Sequence, residues 1–403
     1  MNRGAAARMA DAAPAKWALF RHGFRPFFLA AGLAALLLVP WWAAALAWGV
    51  PLGTSWPAAL WHGHEMLFGF IVAAVAGFLL TAVPSWTGAR GFAGWPLVLL
   101  AGLWLTGRIG VSASAGLPLP VVAALDLSFL PALAGFVLVP LVRARNRNSP
   151  LLAVLLTLWL TNVAFYWGLT HGDSIFARHA LLVGIDIVLV LVTVIGGRIV
   201  PAFTSSALKQ QGIGISLRAW RGMTPLAVGV MVVAVICDLF RPESVAAGAV
   251  ALAAGVIQAV RLAQWRMLRT LRTPIVWVLH VAYLWLPVGL VLKGLALIFA
   301  LALAAYYLHA LTIGAAALMI MAVMTRASLG HTGRPLVVSG ATAYAYGLLA
   351  AAAVVRVFGP ALLPLAYVKI VVLAAALWAV AFGIYLLGYT PMLIAPRVDG
   401  KPG

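Results

Sequence analysis

Twelve apolar runs of about 18 to 25 residues, separated by short polar, proline-bearing or basic breaks, dominate this 403-residue chain. Runs of that length suit an α-helix crossing the roughly 30 Å hydrocarbon core of a bilayer, and not the roughly 9–11-residue alternating strands of a membrane barrel. Only 9% of the residues are charged and 65% are hydrophobic, whereas a soluble domain carries about a quarter charged residues. No water-soluble fold of this size hides so much apolar surface, and in lipid only helices or closed barrels satisfy the backbone. The expected fold class is therefore all-α, a polytopic integral membrane protein with about twelve transmembrane helices. The runs lie at 27–49, 60–83, 93–111, 117–142, 151–170, 177–200, 223–240, 245–265, 275–292, 299–324, 337–358 and 361–387. The longest polar break, 204–222, divides a single transmembrane domain, 27–393, into halves 27–203 and 223–393. Residues 1–26 and 394–403 read as cytoplasmic tails, the first being basic and followed by a full-length run rather than by a cleavage site.

The 27 Lys and Arg residues test the orientation. With the N-terminus inside, 21 of them fall in inner segments and 5 (Arg108, Arg178, Arg241, Lys293 and Arg356) in outer ones, Lys369 lying within the last run. Positive charge accumulates on the cytoplasmic side of membrane proteins, so the expected topology is N-in and C-in. The net charge of +19 then follows from topology and contact with anionic lipid, and no nucleic-acid partner is needed. The single cysteine, Cys237, excludes a disulfide framework within the chain and a cysteine-only metal cluster.

Ionisable side chains inside a membrane are costly and mark candidate sites. His62 and His64 open the second run in Trp61-His62-Gly63-His64-Glu65-Met66, near the outer face. Two residues apart, they diverge by about 200° around a regular helix, so they serve two centres, or one ligates while the other hydrogen-bonds. Glu65 is a candidate orienting partner or proton carrier. His280 lies inside the ninth run with Tyr283 at i+3, and His309 inside the tenth with Tyr306 and Thr312 as helical neighbours. His331 sits in the inner loop that follows. Neutral imidazole is the usual protein ligand for haem iron and copper. A lone membrane histidine more simply hydrogen-bonds a neighbouring helix, and His22 and His171 in loops are read that way. Asp126 and Asp186 lie mid-run and need a partner, such as Arg108 or Arg198, or a proton. Asp238 is read as structural, with Arg241 at i+3 as its partner. Arg25, Arg198, Arg326 and Arg334 at inner helix ends either anchor the topology or clamp a carboxylate such as a haem propionate. No Walker A motif, zinc-protease helix motif or nucleophile elbow is present.

Several segments together carry a family resemblance. They are Gly23-Phe24-Arg25-Pro26-Phe27-Phe28, Trp61 to Phe70 running on to Pro84-Ser85-Trp86-Thr87-Gly88, Gly196-Gly197-Arg198 to Thr204, and His309-Ala310-Leu311-Thr312 continuing to Met324-Thr325-Arg326 and Gly330-His331-Thr332-Gly333-Arg334-Pro335. In this order they resemble the NnrS family of bacterial membrane proteins over nearly the whole chain. The resemblance implies a haem- and copper-containing inner-membrane protein of about twelve helices that protects cells during nitric oxide stress or denitrification. Its histidine motifs are matched at His62, His64, His280, His309 and His331. The family pattern has no histidine at the position of His22, which is therefore left out of the candidate set, and it has alanine at the position of Gly63.

Three functional classes remain open on the sequence. The first is an oxidoreductase that reduces nitric oxide at a His-ligated centre of haem b (one or two), with copper possible, quinol as donor and Glu65, Tyr283, Asp126 or Asp186 relaying protons. The second is a haem-based sensor or scavenger without turnover. The third is a transporter of a metal, haem or an NO-derived complex, which the two halves of six and the interruptions at Gly196-Gly197 and Pro287 suit. The oligomeric state is not legible.

Overall fold

The computed structural model describes residues 17–401 except 215, 216, 218 and 219. Among the described residues there is no strand, and twelve helices are long and apolar enough to cross a membrane: α1 (Phe24–Trp48), α2 (Ala58–Thr87), α3 (Trp95–Ser112), α4 (Leu119–Arg143), α5 (Leu151–Thr170), α6 (Ser174–Gln210), α7 (Met223–Phe240), α8 (Val245–Ala263), α9 (Pro274–Phe299), α10 (Ala302–His331), α11 (Gly340–Leu362) and α12 (Pro364–Ile394). Every expected run is met by one helix. The proposed tail residues 1–16 and the inner cation Arg218 lie outside the described residues.

The helices begin where local chemistry satisfies their free N–H groups. Asp173, Ser244 and Ser339 cap α6, α8 and α11, their side chains accepting from the amides of Phe176, Ala247 and Thr342. Helix α6 is the main departure from the expected boundaries, running on from 200 through Pro201 to Gln210. Thr204 Oγ1 donates to the Val200 carbonyl at 2.8 Å and meets His280 Nε2 of α9 at 2.8 Å, holding the extension against its neighbour. At 1.5 Å per residue its 37 residues span about 56 Å, more than a bilayer with its headgroups, so α6 projects from the basic end.

Lipid gives helices no hydrophobic reason to associate, so contact depends on close fit between small residues. A Cβ added at Gly294 of α9 would stand 2.8 Å from the carbonyl oxygen of Gly248 in α8, which fixes a close crossing there. The ends of the chain meet at the basic end. Ala18 N donates to Ile394 O at 2.7 Å. Arg25 Nη1 donates to the carbonyls of Met392, Leu393 and Ala395 at 3.1, 2.9 and 2.6 Å, placing positive charge on the carbonyl end of α12.

Three of the five cations assigned to outer segments are instead buried among the helices. Arg108 pairs with Glu65 and Asp126, Lys293 pairs with Asp238, and Arg356 lies against Tyr306 and Tyr367. The expected Asp238–Arg241 pair does not form: Arg241 lies just past the end of α7, outside the helical conformation (φ −141°, ψ 56°), with an exposed side chain.

Candidate functional site

Helices α1, α2, α6, α10, α11 and α12 enclose a cavity of about 120 Å³ toward the end opposite the basic loops. That is about ten times the space one buried water needs. His62 of α2 and His309 of α10 both line it, with Arg356 of α11 and Thr312; Met66, Phe70, Ile313 and Trp378 make up much of its apolar wall. The Nδ1 atoms of His62 and His309 and the Nη1 of Arg356 are buried without a hydrogen-bond partner. A buried polar atom left unpaired costs about 1–3 kcal/mol. Three such atoms around one cavity therefore point to a bound group that satisfies them.

His309 stands immediately before a widened turn, and His62 three residues before another. Glu65–Ile71 in α2 and Ala310–Ala317 in α10 are π-helical, an insertion that resets the register of the side chains and is frequent at functional sites. In α2, Trp104 Nε1 of α3 donates to the Gly69 carbonyl inside the widened turn at 3.0 Å. In α10, Gly314 leaves room for Trp285 of α9, against which any Cβ would collide.

His64, two residues from His62, faces the other way. Its Nδ1 meets Glu65 Oε1 at 3.2 Å, and its Nε2 meets Asp126 Oδ2 and Asn162 Oδ1, each at 3.1 Å. Arg108 bridges Glu65 and Asp126. Asn162 Nδ2 and Tyr166 OH donate to Asp126 Oδ2 at 2.8 and 3.2 Å. Two carboxylates thus face one guanidinium and one imidazole within the helix bundle. Both His64 nitrogens are engaged within this network, and His64 is not part of the cavity lining. The i, i+2 divergence thus places His62 at the cavity and His64 in the ion-pair network.

The other sequence candidates lie elsewhere. His280 is fully buried, bonded to Thr204 and not part of the cavity. Tyr283 donates to Gln258 Oε1 at 2.6 Å and accepts from Arg261 Nη1 at 3.0 Å, a network separate from Glu65. Arg25 caps α12, Arg198 Nη1 donates to Asn148 Oδ1 at 2.6 Å, and Arg326 covers the Phe203 ring at 3.7 Å; none of the three lines the cavity. Arg334 keeps a buried Nη1 without a partner. His331 lies 5.4 Å, ring to ring, from His22, the histidine left out of the candidate set, and Arg397 Nη1 donates to the His331 carbonyl at 2.9 Å. Burial, with the neighbouring His331, Arg25 and Arg397, lowers the pKa of His22 to about 4. Asp186 of α6 lies beside the Lys293–Asp238 pair, with no contact to Arg198. Among the described residues no three His, Cys, Asp or Glu side chains gather as a metal-holding group.

A family model described as NnrS protein matches residues 18–397. The chain belongs to the NnrS family. No curated protein matches it. In this NnrS-family chain the matched motifs divide by location: Trp61 to Phe70 and His309 to Thr312 meet at the cavity, while Gly23 to Phe28 and Arg326 to Pro335 meet at the basic end. Arg356 and Trp42 are the site residues the sequence reading missed. Arg356 was counted as a topological charge, yet its place within an apolar run was the available signal.

Proposed function

We propose that this protein acts in the nitric oxide response as a haem-binding protein of the bacterial inner membrane, with copper as the alternative metal, and that it binds and reduces nitric oxide at a centre held by His62 and His309. Family membership supports the role in the nitric oxide response. The observation that carries the site assignment is the meeting of His62, His309 and Arg356, each with an unpartnered buried nitrogen, at one apolar cavity.

The donor set fits haem better than a caged ion. A protein-held zinc or copper site takes three or four side-chain ligands, and this cavity offers two imidazoles. A haem asks the protein for as little as one imidazole, which His62 or His309 would provide. Arg356 would pair with its anionic edge, and the apolar walls would part around the macrocycle, which is several times larger than the cavity of about 120 Å³. Bound there, the metal would supply gas binding and the electron transfer that turns two NO into nitrous oxide and water with two electrons and two protons.

The chain's own contributions are positional. Trp42 covers His62 and fixes its ring. Thr312 Oγ1 donates to the Leu308 carbonyl at 2.9 Å, which steadies the turn that carries His309. Glu65, three residues from His62, is the proposed proton carrier, its Oε2 being buried and unpartnered. Tyr283, held by Gln258 and Arg261, is not on that route. A quinol is the proposed electron donor.

The test is the optical spectrum and metal content of the purified protein, with and without dithionite and NO. The expected result is a reduced haem b spectrum that changes with NO and is lost in His62→Ala and His309→Ala but kept in His280→Ala. A colourless, metal-free protein from haem-replete cells would sink the proposal.

A further inference from the structure

A second cavity, of about 70 Å³, lies deeper along the same helices. It shares a wall residue, Ile71, with the cavity of His62 and His309. The two are stacked by helical repeat. Along α2 the lining steps from Ile71 to Ala74, along α6 from Ile185 to Val188, and along α10 from Ile313 to Ala316. Each step is three residues, so one face of each helix lines both spaces in succession.

The chemistry of the lining is selective. Aliphatic, aromatic, methionine and glycine residues line the deeper cavity, with no charged, hydroxyl or amide side chain. An ion there would lose its hydration with nothing in exchange. A cavity with apolar walls stays free of water and accepts xenon or other small apolar molecules. Ile195, Ile199, Ile320 and Val323 on its margin are only partly buried, which leaves this flank toward the lipid-facing surface.

Resting on the haem reading above, we propose that this cavity is the access route by which a small uncharged gas passes from the bilayer interior to His62 and His309. The route admits nitric oxide, carbon monoxide or dioxygen and excludes nitrite and metal ions. The gas dissolves in the membrane core, enters between α6 and α10, and passes Ile71.

Narrowing variants confined to the deeper cavity, Ala74→Phe and Val188→Phe, test the route in detergent-purified, haem-loaded protein. The bimolecular rate of carbon monoxide binding after flash photolysis is expected to fall about tenfold with haem content unchanged. Xenon exchange followed by ¹²⁹Xe NMR is expected in the parent protein and reduced in both variants. Unchanged gas binding and unchanged xenon exchange in both variants would overturn the route while leaving the haem reading intact. An acyl or isoprenoid tail retained by the parent protein in native mass spectrometry and lost in both variants would overturn it too, by making the cavity a lipid site. Protein without haem would defeat the haem reading alone, because the xenon measurement still reports on the cavity.

Discussion

The indole of Trp42 lies against the imidazole of His62, ring centroids 4.2 Å apart and planes inclined by 22°. The contact joins α1 to the start of α2 and leaves the ring little freedom to turn. Groups that orient a ligand typically change metal affinity about 10–100-fold when removed. Trp42→Ala is therefore expected to weaken haem binding within that range, with Trp42→Phe losing less. Haem titration of the apoprotein measures it, and an affinity equal to that of the parent would show that the stacking does not hold the ligand.

His64 contrasts with His62 in what its loss should do. It belongs to the network that Arg108 closes between Glu65 and Asp126. Removing Arg108 leaves two buried carboxylates without their cation, a change that typically costs about 3–5 kcal/mol. Arg108→Ala should lower the unfolding temperature strongly, and His64→Ala should lower it too, while the visible spectrum of surviving protein keeps its His62-dependent features. If His64→Ala instead abolishes the spectrum at unchanged stability, His64 is a ligand and the assignment is reversed.

Gly314 sets the approach of α10 to α9, because a Cβ there meets the Trp285 side chain. Overpacking of this kind usually costs about 1–3 kcal/mol. Gly314→Val is expected to lower thermal stability and, by moving the turn after His309, to reduce haem content; Gly314→Ala should do both to a smaller degree. Full stability and full haem content in Gly314→Val would mean that α10 accommodates the side chain without disturbing His309.

At the basic end, acid should loosen the junction of the two chain ends. Burial lowers the pKa of His22 from 6.5 to about 4, so between those values the unfolded chain binds the extra proton and the folded one does not. Stability rises with pH wherever the unfolded state binds more protons. The contribution is therefore free of penalty above pH 6.5 and declines as the pH falls toward 4. Asp399 acts in a lower window: Arg397 holds its carboxyl at about 2, so this stabilisation is present above its ordinary value of 3.8 and is lost as the pH falls through 2. Hydrogen exchange of residues 18–28, corrected for intrinsic rate, should accelerate from pH 7 to pH 5 in the parent protein and less so in His22→Phe. Equal acceleration in both would assign the effect to other groups.

Much of the fold was legible because lipid allows so few solutions. Each long apolar run became a helix, and the clustering of arginines at one end was visible in their spacing. The divergence of His62 and His64 followed from helical geometry alone. The π-helical turns were not legible: Glu65–Ile71 and Ala310–Ala317 contain ordinary helix-compatible residues, and their widening goes with contacts made by Trp104 and Trp285 on other helices. The partner of Asp238 was sought at i+3 on its own helix and found as Lys293 on α9, since spacing along one chain segment reveals only neighbours on that segment.

The sequence by itself determined that the chain spans a membrane about twelve times, which end carries the basic loops, and which imidazoles, carboxylates and arginines stand at membrane depth. Those properties depend on hydropathy and period, which are local. Only the tertiary structure decided that His62 and His309 share a cavity with Arg356, that His64 belongs to an ion-pair network instead, and that His280, His331 and Tyr283 lie away from both. Those outcomes depend on which helix faces meet, and that is set by close packing of small residues and by the cost of leaving a buried charge unpaired, neither of which is written in the order of residues along any one helix.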